Sequence, residues 1–175
     1  MHRDRRVAVG VEIGGGKATV ALIDRHGRVL QCVSARTLRG RPAPATLEPY
    51  MRAIETLLAV AVAEDLSVCG LGVSIPGVLD ASGRRLQQVP LLPSLNGFPL
   101  CDLLETRYHL PTQLLVDVDA AILGEHRFGA GRGYQRLLFL TVNAVVGASL
   151  LVDGQLELPG SNYIGHVCHV PISAN

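Results

Sequence analysis

Tryptophan is absent, and aromatic residues make up only 4% of the 175 residues. So few flat rings exclude a stacking platform for single-stranded nucleic acid, which needs aromatic faces along a basic groove. Lysine is scarce too: Lys17 stands alone beside 15 arginines. The formal net charge is +1, so no whole-chain field draws this protein to a polyanion. Long apolar runs are missing. The longest uninterrupted one, Leu57–Ala63, falls far short of the roughly 20 residues a spanning helix requires, and no membrane partner is expected. His2–Arg6 leads straight into a strand-like run, so no secretory leader is expected. Four cysteines, Cys32, Cys69, Cys101 and Cys168, form no CxxC pair. They read as buried thiols of a reducing, cytoplasmic compartment.

What is present is largely apolar. Hydrophobic residues make up 48%, charged residues 18%, and the mean hydropathy is +0.30. That composition excludes disorder. A chain this long buries about two thirds of its unfolded surface, enough for a core without staples. The length admits one domain, or one lobe plus part of another.

Three short apolar runs, Val7–Ile13, Ala18–Ile23 and Val29–Val33, are joined by Gly-containing turns and predict an antiparallel meander. A proline-marked loop follows at Arg39–Ala45. Leu47, Tyr50, Met51, Ile54, Leu57, Leu58, Ala61 and Val62 then recur at helical spacing and form one inward face, with Thr46 as N-cap and Pro49 in the first turn. A buried strand at Val68–Ile75 stops at Pro76-Gly77. Beyond it come a turn at Asp80–Arg84, a short strand at Leu86–Val89, a loop at Pro90–Pro99 and a helix at Leu100–Tyr108. The strand Leu114–Val116 ends at Asp117, and a helix at Ala120–Phe128 turns Ala121, Leu123 and Phe128 inward. Past a glycine break at Gly129–Gly133 lie strands at Leu137–Val142 and Gly147–Val152, with a further strand expected at Ile164–Ile172. Strand–helix alternation after a meander predicts an α/β fold, a mixed sheet with helices on its faces. Gly129–Gly133 marks the boundary between residues 1–130 and 131–175.

Three places can carry chemistry. Glu12 with Gly14, Gly15, Gly16 and Lys17 combines a carboxylate, a pliant backbone and a point charge, as a phosphate loop does. The same residues also suit a plain hairpin turn, and the spacing is not that of a Walker A loop. Asp117, at a strand end before a helix, suits a general base or an acceptor for a ligand hydroxyl. It equally suits an Asx turn or N-cap, and Asp119 fits the capping role as well. His166, Cys168 and His169 are metal-ligand types. On a strand, however, 166 and 168 share a face while 169 points away, so no metal site, zinc included, is expected.

Taken in order, these segments resemble the ROK family of bacterial sugar kinases and sugar-responsive transcriptional repressors. The resemblance runs from about Val9 to His166. It is carried by Gly10–Lys17, Asp24 with Gly27–Val29, Gly72–Asp80, Gly97–Leu100, Asp117 through Leu123–Glu125 to Arg127–Gly133, Val152–Gly154 and Ile164–His166. It implies the actin-like, ribonuclease-H-like ATPase fold, two lobes with sugar and ATP in the cleft. Residues 1–130 would then be the N-terminal lobe and 131–175 the truncated start of the second, so that the chain is a piece of a longer protein or a truncated gene product.

By the same resemblance, Pro76, Gly77, Asp117 and His166 are sugar-binding residues, and Glu12, Gly14, Gly15 and Lys17 are phosphate-binding residues. Several positions depart from the kinases. Glu12 stands for an aspartate and Gly16 for a threonine. Leu91 stands for an asparagine, Leu115 and Val116 for a glutamate and an asparagine before Asp117, and Tyr163 for a glutamate. The second phosphate loop, glycine-threonine-glycine in the kinases, reads Asn143-Ala144-Val145 followed by Val146-Gly147-Ala148. Branched side chains there obstruct the backbone approach that glycines permit.

The expectation is therefore a sugar-sensing effector domain of a regulator of the N-acetylglucosamine-repressor type, without kinase chemistry or a fixed cofactor. Its partner is a small sugar or sugar phosphate, it forms a homo-oligomer, and it reaches DNA only through a helix-turn-helix outside this chain. The alternative is a hexose kinase using Mg–ATP, with Asp117 as catalytic base, Glu12 orienting Mg–ATP and Lys17 on the phosphates.

Overall fold

A computed structural model describes residues 5–142 and 146–157. Two compact units divide between Val116 and Asp117. The boundary expected from the glycine break lay at 130/131.

The first unit is built on β1 (Arg6–Ile13), β2 (Lys17–Asp24) and β3 (Val29–Arg36), then α1 (Ala43–Ala63) and β4 (Ser67–Ile75). A small hairpin, β5 (Val78–Leu79) and β6 (Leu86–Gln88), precedes α2 (Leu100–Tyr108) and β7 (Thr112–Val116). The five long strands form one sheet in the order β3-β2-β1-β4-β7. The meander is antiparallel, while β4 pairs parallel with both β1 and β7. This is the mixed sheet the strand–helix alternation predicted.

Strict alternation on β1 sends Val7, Val9, Val11 and Ile13 into the core, where Val20 and Leu22 of β2 and Leu71, Val73 and Ile75 of β4 join them. Helix α1 covers this face with Leu47, Tyr50, Ile54, Leu57 and Ala61. Each fully buried Leu or Ile contributes about 1.5–3 kcal/mol of transfer free energy, so this one layer dominates the unit's stability.

Local chemistry fixes the connections. At the β2–β3 turn the Asp24 carboxylate accepts from the amides of His26 (2.8 Å) and Arg28 (2.9 Å), which holds its pKa below the ordinary range, the Arg28 amide foremost. Gly27 supplies the positive φ of 79° that this turn requires. Arg84, after the β5 turn, donates to Asp102 (2.7 Å) and Glu105 (2.5 Å) and so ties the hairpin to α2.

Several expectations are corrected. Helix α1 begins at Ala43, a turn earlier than predicted, because Pro44 in the first turn presets the backbone there. Thr46 is therefore not the N-cap. It is buried, and its hydroxyl donates to the carbonyls of Leu38 (3.2 Å) and Arg41 (3.1 Å). Val62 is 80% exposed, since Ala61 takes the inward position and the next residue turns about 100° away. Cys32 and Cys69 are exposed, not buried; only Cys101 matches that expectation among the described residues. Cys32 lies on the edge strand β3. Cys69 is turned out by a bulge in β4, where Val7 pairs with Val68 but Val9 pairs with Leu71.

The second unit contains α3 (Asp117–Phe128), β8 (Arg136–Val142), β9 (Val146–Val152) and β10 (Gln155–Leu156). The strands form an antiparallel sheet ordered β10-β9-β8, and α3 packs on β8 and β9 through Val118 and Ile122. That packing explains why the helix groups with the later strands. The glycine stretch ends α3: the Glu125 carbonyl accepts from the amides of Gly129 and Gly131, both at 3.0 Å. Phe128, expected inward, is 46% exposed at the helix end. The strand expected at Ile164–Ile172 lies outside the described residues.

Candidate functional site

In sheets with parallel strands, ligands gather beyond the strands' carboxyl ends. Here those ends belong to β1, β4 and β7. Glu12, Ser74 and Leu115 stand in one register row across them. This row faces away from the core side taken by Ile13 and Ile75. Glu12 is exposed, while Ser74 and Leu115 are half-buried.

The β1–β2 turn follows directly. The Gly14 amide donates to the Lys17 carbonyl at 2.9 Å and closes it. All three glycine carbonyls are held by the segment after β3. The Thr37 hydroxyl donates to Gly14 at 2.8 Å, Arg39 Nε donates to Gly15, and the Thr37 amide donates to Gly16 at 3.2 Å. A side chain on Gly14 would meet the Lys17 carbonyl at 2.8 Å. One on Gly15 would overlap the Arg39 guanidinium and meet Leu91 Cδ1 at 2.7 Å. Above Gly16 the space is open to 4 Å. Thr37 is buried, and the buried Tyr50 of α1 faces it; burial pushes the Tyr50 phenol above its ordinary range.

Pro76 and Gly77 leave the end of β4. Gly77 has φ +151°, and a Cβ there would overlap the Gln88 carbonyl, so glycine is a steric requirement. The loop beyond β6 is pinned by the Val89 amide on Asn96 Oδ1 (2.7 Å) and by buried Leu92 and Leu95. It delivers Leu91 onto Gly15. The first unit thus gathers the glycine turn, Arg39 and Leu91 beside the strand ends that carry Glu12 and Pro76-Gly77.

Asp117 opens the second unit. It is exposed, and its Oδ1 accepts from the Val118 amide at 2.9 Å. Asp119 is not the helix cap expected from its type. Its Oδ1 accepts from the buried Ser149 hydroxyl of β9 at 2.5 Å. Burial raises its pKa above the ordinary aspartate range; the Ser149 bond opposes this and the Asp117 charge adds to it. His166, Tyr163 and the second-loop residues Asn143, Ala144 and Val145 lie outside the described residues. Among the described residues no three His, Cys, Asp or Glu side chains gather as a metal site, and no helix is long and apolar enough to cross a membrane. Sequence reasoning missed Arg39 and Ser149. Arg39 carried only a loop signal, and no spacing rule links it to a turn on another strand.

This sheet order defines an actin-like α/β fold with a tight glycine turn at the end of its first strand. The ROK family model matches residues 8–175, and the chain belongs to the ROK family. A glucokinase of Thermotoga maritima is 32% identical over 95% of this chain and 51% of its own length. A Streptomyces griseus ROK glucokinase solved with glucose and AMPPNP superposes with a TM-score of 0.81 at 24% identity, over 95% of this chain and 51% of that one. A ROK transcriptional regulator, a homolog of the Escherichia coli Mlc protein, superposes with a TM-score of 0.86 at 20% identity, over 97% and 42%. The chain spans about half the length of these relatives. Its kin therefore include both repressors and sugar kinases.

Proposed function

We propose that this chain is a sugar-sensing effector region of a ROK-type transcriptional regulator. One observation carries the reading: Leu91 packs on Gly15 of the turn, at the position where kinase relatives are expected to present a sugar-binding asparagine. An apolar side chain there forfeits a hydrogen bond to a sugar hydroxyl, and each such loss removes about 0.5–1.5 kcal/mol. Leu115 and Val116, at the end of β7, forfeit two more. Pro76, Gly77, Asp117 and His166 keep the residue types that the resemblance assigns to sugar binding, and in this reading Asp117 accepts a hydroxyl hydrogen bond without chemistry. Sugar binding shifts the balance between lobe conformations and so tunes DNA binding or oligomer contacts elsewhere in the longer protein.

The kinase reading is the second. It draws on the 32% identity to a glucokinase and on the retained carboxylates Glu12 and Asp117. In it Glu12 orients Mg–ATP, Lys17 contacts the phosphates and Asp117 takes the proton of the attacking hydroxyl. The test is ADP release by the full-length protein with a hexose panel and Mg–ATP. The sensor reading expects no turnover and a sugar-dependent thermal shift. Turnover abolished by Asp117→Ala would establish the kinase reading instead.

A further inference from the structure

Between Asp24 and Glu48 the sequence carries five arginines, Arg25, Arg28, Arg36, Arg39 and Arg41, and no carboxylate. Strand β3 lies inside this segment. We infer that the free edge of β3 is a docking site for an extended, acidic polypeptide segment of a partner protein. That segment adds to the five-stranded sheet as a sixth strand, with carboxylates at its ends. The inference goes beyond the sensor reading and does not depend on sugar binding.

The edge is open and regular. β3 stands at the end of the sheet order, with β2 on one side and no strand on the other among the described residues. Gln31–Arg36 pairs with β2 without a break, and the register shifts only at the opposite end, where Leu22 pairs with Gln31 but Ile23 with Val29. On an antiparallel edge, alternate residues turn both N–H and C=O outward. Such a row is a template for another strand, and proteins commonly blunt it by shortening the strand or placing proline or charge within it. β3 does none of these. It runs eight residues, and Val29–Ala35 contains neither proline nor a charged side chain. Val33 and Ala35 pack against the core, whereas Val29 and Leu30 are exposed and give an added strand apolar surface to cover.

Charge selects the occupant. Arg28 precedes the strand and Arg36 ends it, and both are exposed. Arg36 makes no ion pair among the described residues. It stands opposite Lys17 in the β2–β3 ladder, a like-charge pair that costs stability. The Asp24 carboxylate beside Arg28 is already engaged by turn amides. A second copy of this chain fits badly, because β3 paired antiparallel with itself would bring Arg36 of one copy beside Arg28 of the other at both ends. Nucleic acid fits badly too: the segment from Arg25 to Leu47 has no aromatic residue on which bases could stack. A peptide backbone matches the outward amides and carbonyls alike, and its carboxylates meet the flanking arginines. The same arginines thus repel one occupant and attract the other.

The test is fluorescence anisotropy of the full-length protein with a labelled synthetic peptide of alternating valine and threonine, glutamates at both ends. The controls are the same peptide with lysines for the glutamates, the glutamate peptide N-methylated throughout, and a single-stranded DNA oligonucleotide. Saturable binding of the glutamate peptide alone is expected, with slowed hydrogen exchange of the β3 amides. Arg28→Glu combined with Arg36→Glu should weaken it about tenfold or more, since two surface charge pairs turn from attraction to repulsion. The lysine peptide should then bind that variant in its place, an exchange of preference that a misfolded chain would not show. No saturable binding of the glutamate peptide, equal binding of its lysine or N-methylated form, or protection at another surface overturns the inference. Binding of the DNA in place of the peptide assigns the edge to nucleic acid, and self-association abolished by the double variant assigns it to a second copy; either overturns it too. None of these outcomes bears on the sensor reading, which the sugar response decides.

Discussion

Two neighbouring carboxylates in α3 meet different surroundings. Asp117 is exposed and bonded to the amide of Val118, while Asp119 is half-buried against Ser149. Because burial raises the Asp119 pKa, the folded state keeps that proton to a higher pH than the unfolded chain does. Its ionised form therefore costs stability above the raised value. As pH falls through that value toward the ordinary aspartate range the cost is relieved. Asp119→Asn keeps an acceptor for Ser149 and removes the charge. The variant should be more stable than wild type at about pH 7, with the gap closing toward about pH 4, the ordinary aspartate value. Urea midpoints at both pH values check this; a less stable variant at neutral pH would refute it. Aspartate's place before a helix was legible from sequence. Its partner was not, since Ser149 is brought in only when β9 packs under α3.

Elements, by contrast, were legible wherever periodicity and punctuation agreed. The meander, the β4 strand, α2 and the β8–β9 hairpin fall where alternation, glycines and prolines placed them. Misreadings arose where a tertiary demand overrode a local signal. Pro44 pulled the start of α1 a turn earlier, and a bulge in β4 reversed the facing of Cys69. The contact between the Pro76-Gly77 segment and β6 had no sequence signal beyond the glycine itself. It is tight enough to predict an outcome. Gly77→Ala would combine a positive φ with overlap on the Gln88 carbonyl, and it should cost about 1–3 kcal/mol in urea unfolding. A loss below a few tenths would show that the segment shifts freely.

At the scale of the whole molecule, the second unit shows one face of its sheet to solvent. Leu138, Leu140 and Val142 are 66%, 58% and 70% exposed along one side of β8, while α3 covers the other side. An aligned apolar stripe of this kind promotes association. The chain should self-associate at high concentration by light scattering, and Leu138→Lys with Leu140→Glu should return it to monomer; a clean wild-type monomer would count against this. In the first unit, β1 lies between β2, its immediate successor in the chain, and β4, which arrives only after α1. One side of β1 can thus zip locally and early, while the other must wait for a long loop to close. The parallel pairing of β1 with β4 aligns Glu12 with Ser74. The strand ends that frame the candidate site are accordingly assembled late in folding, and a chain emerging from the ribosome holds its glycine turn well before it holds the floor beside it.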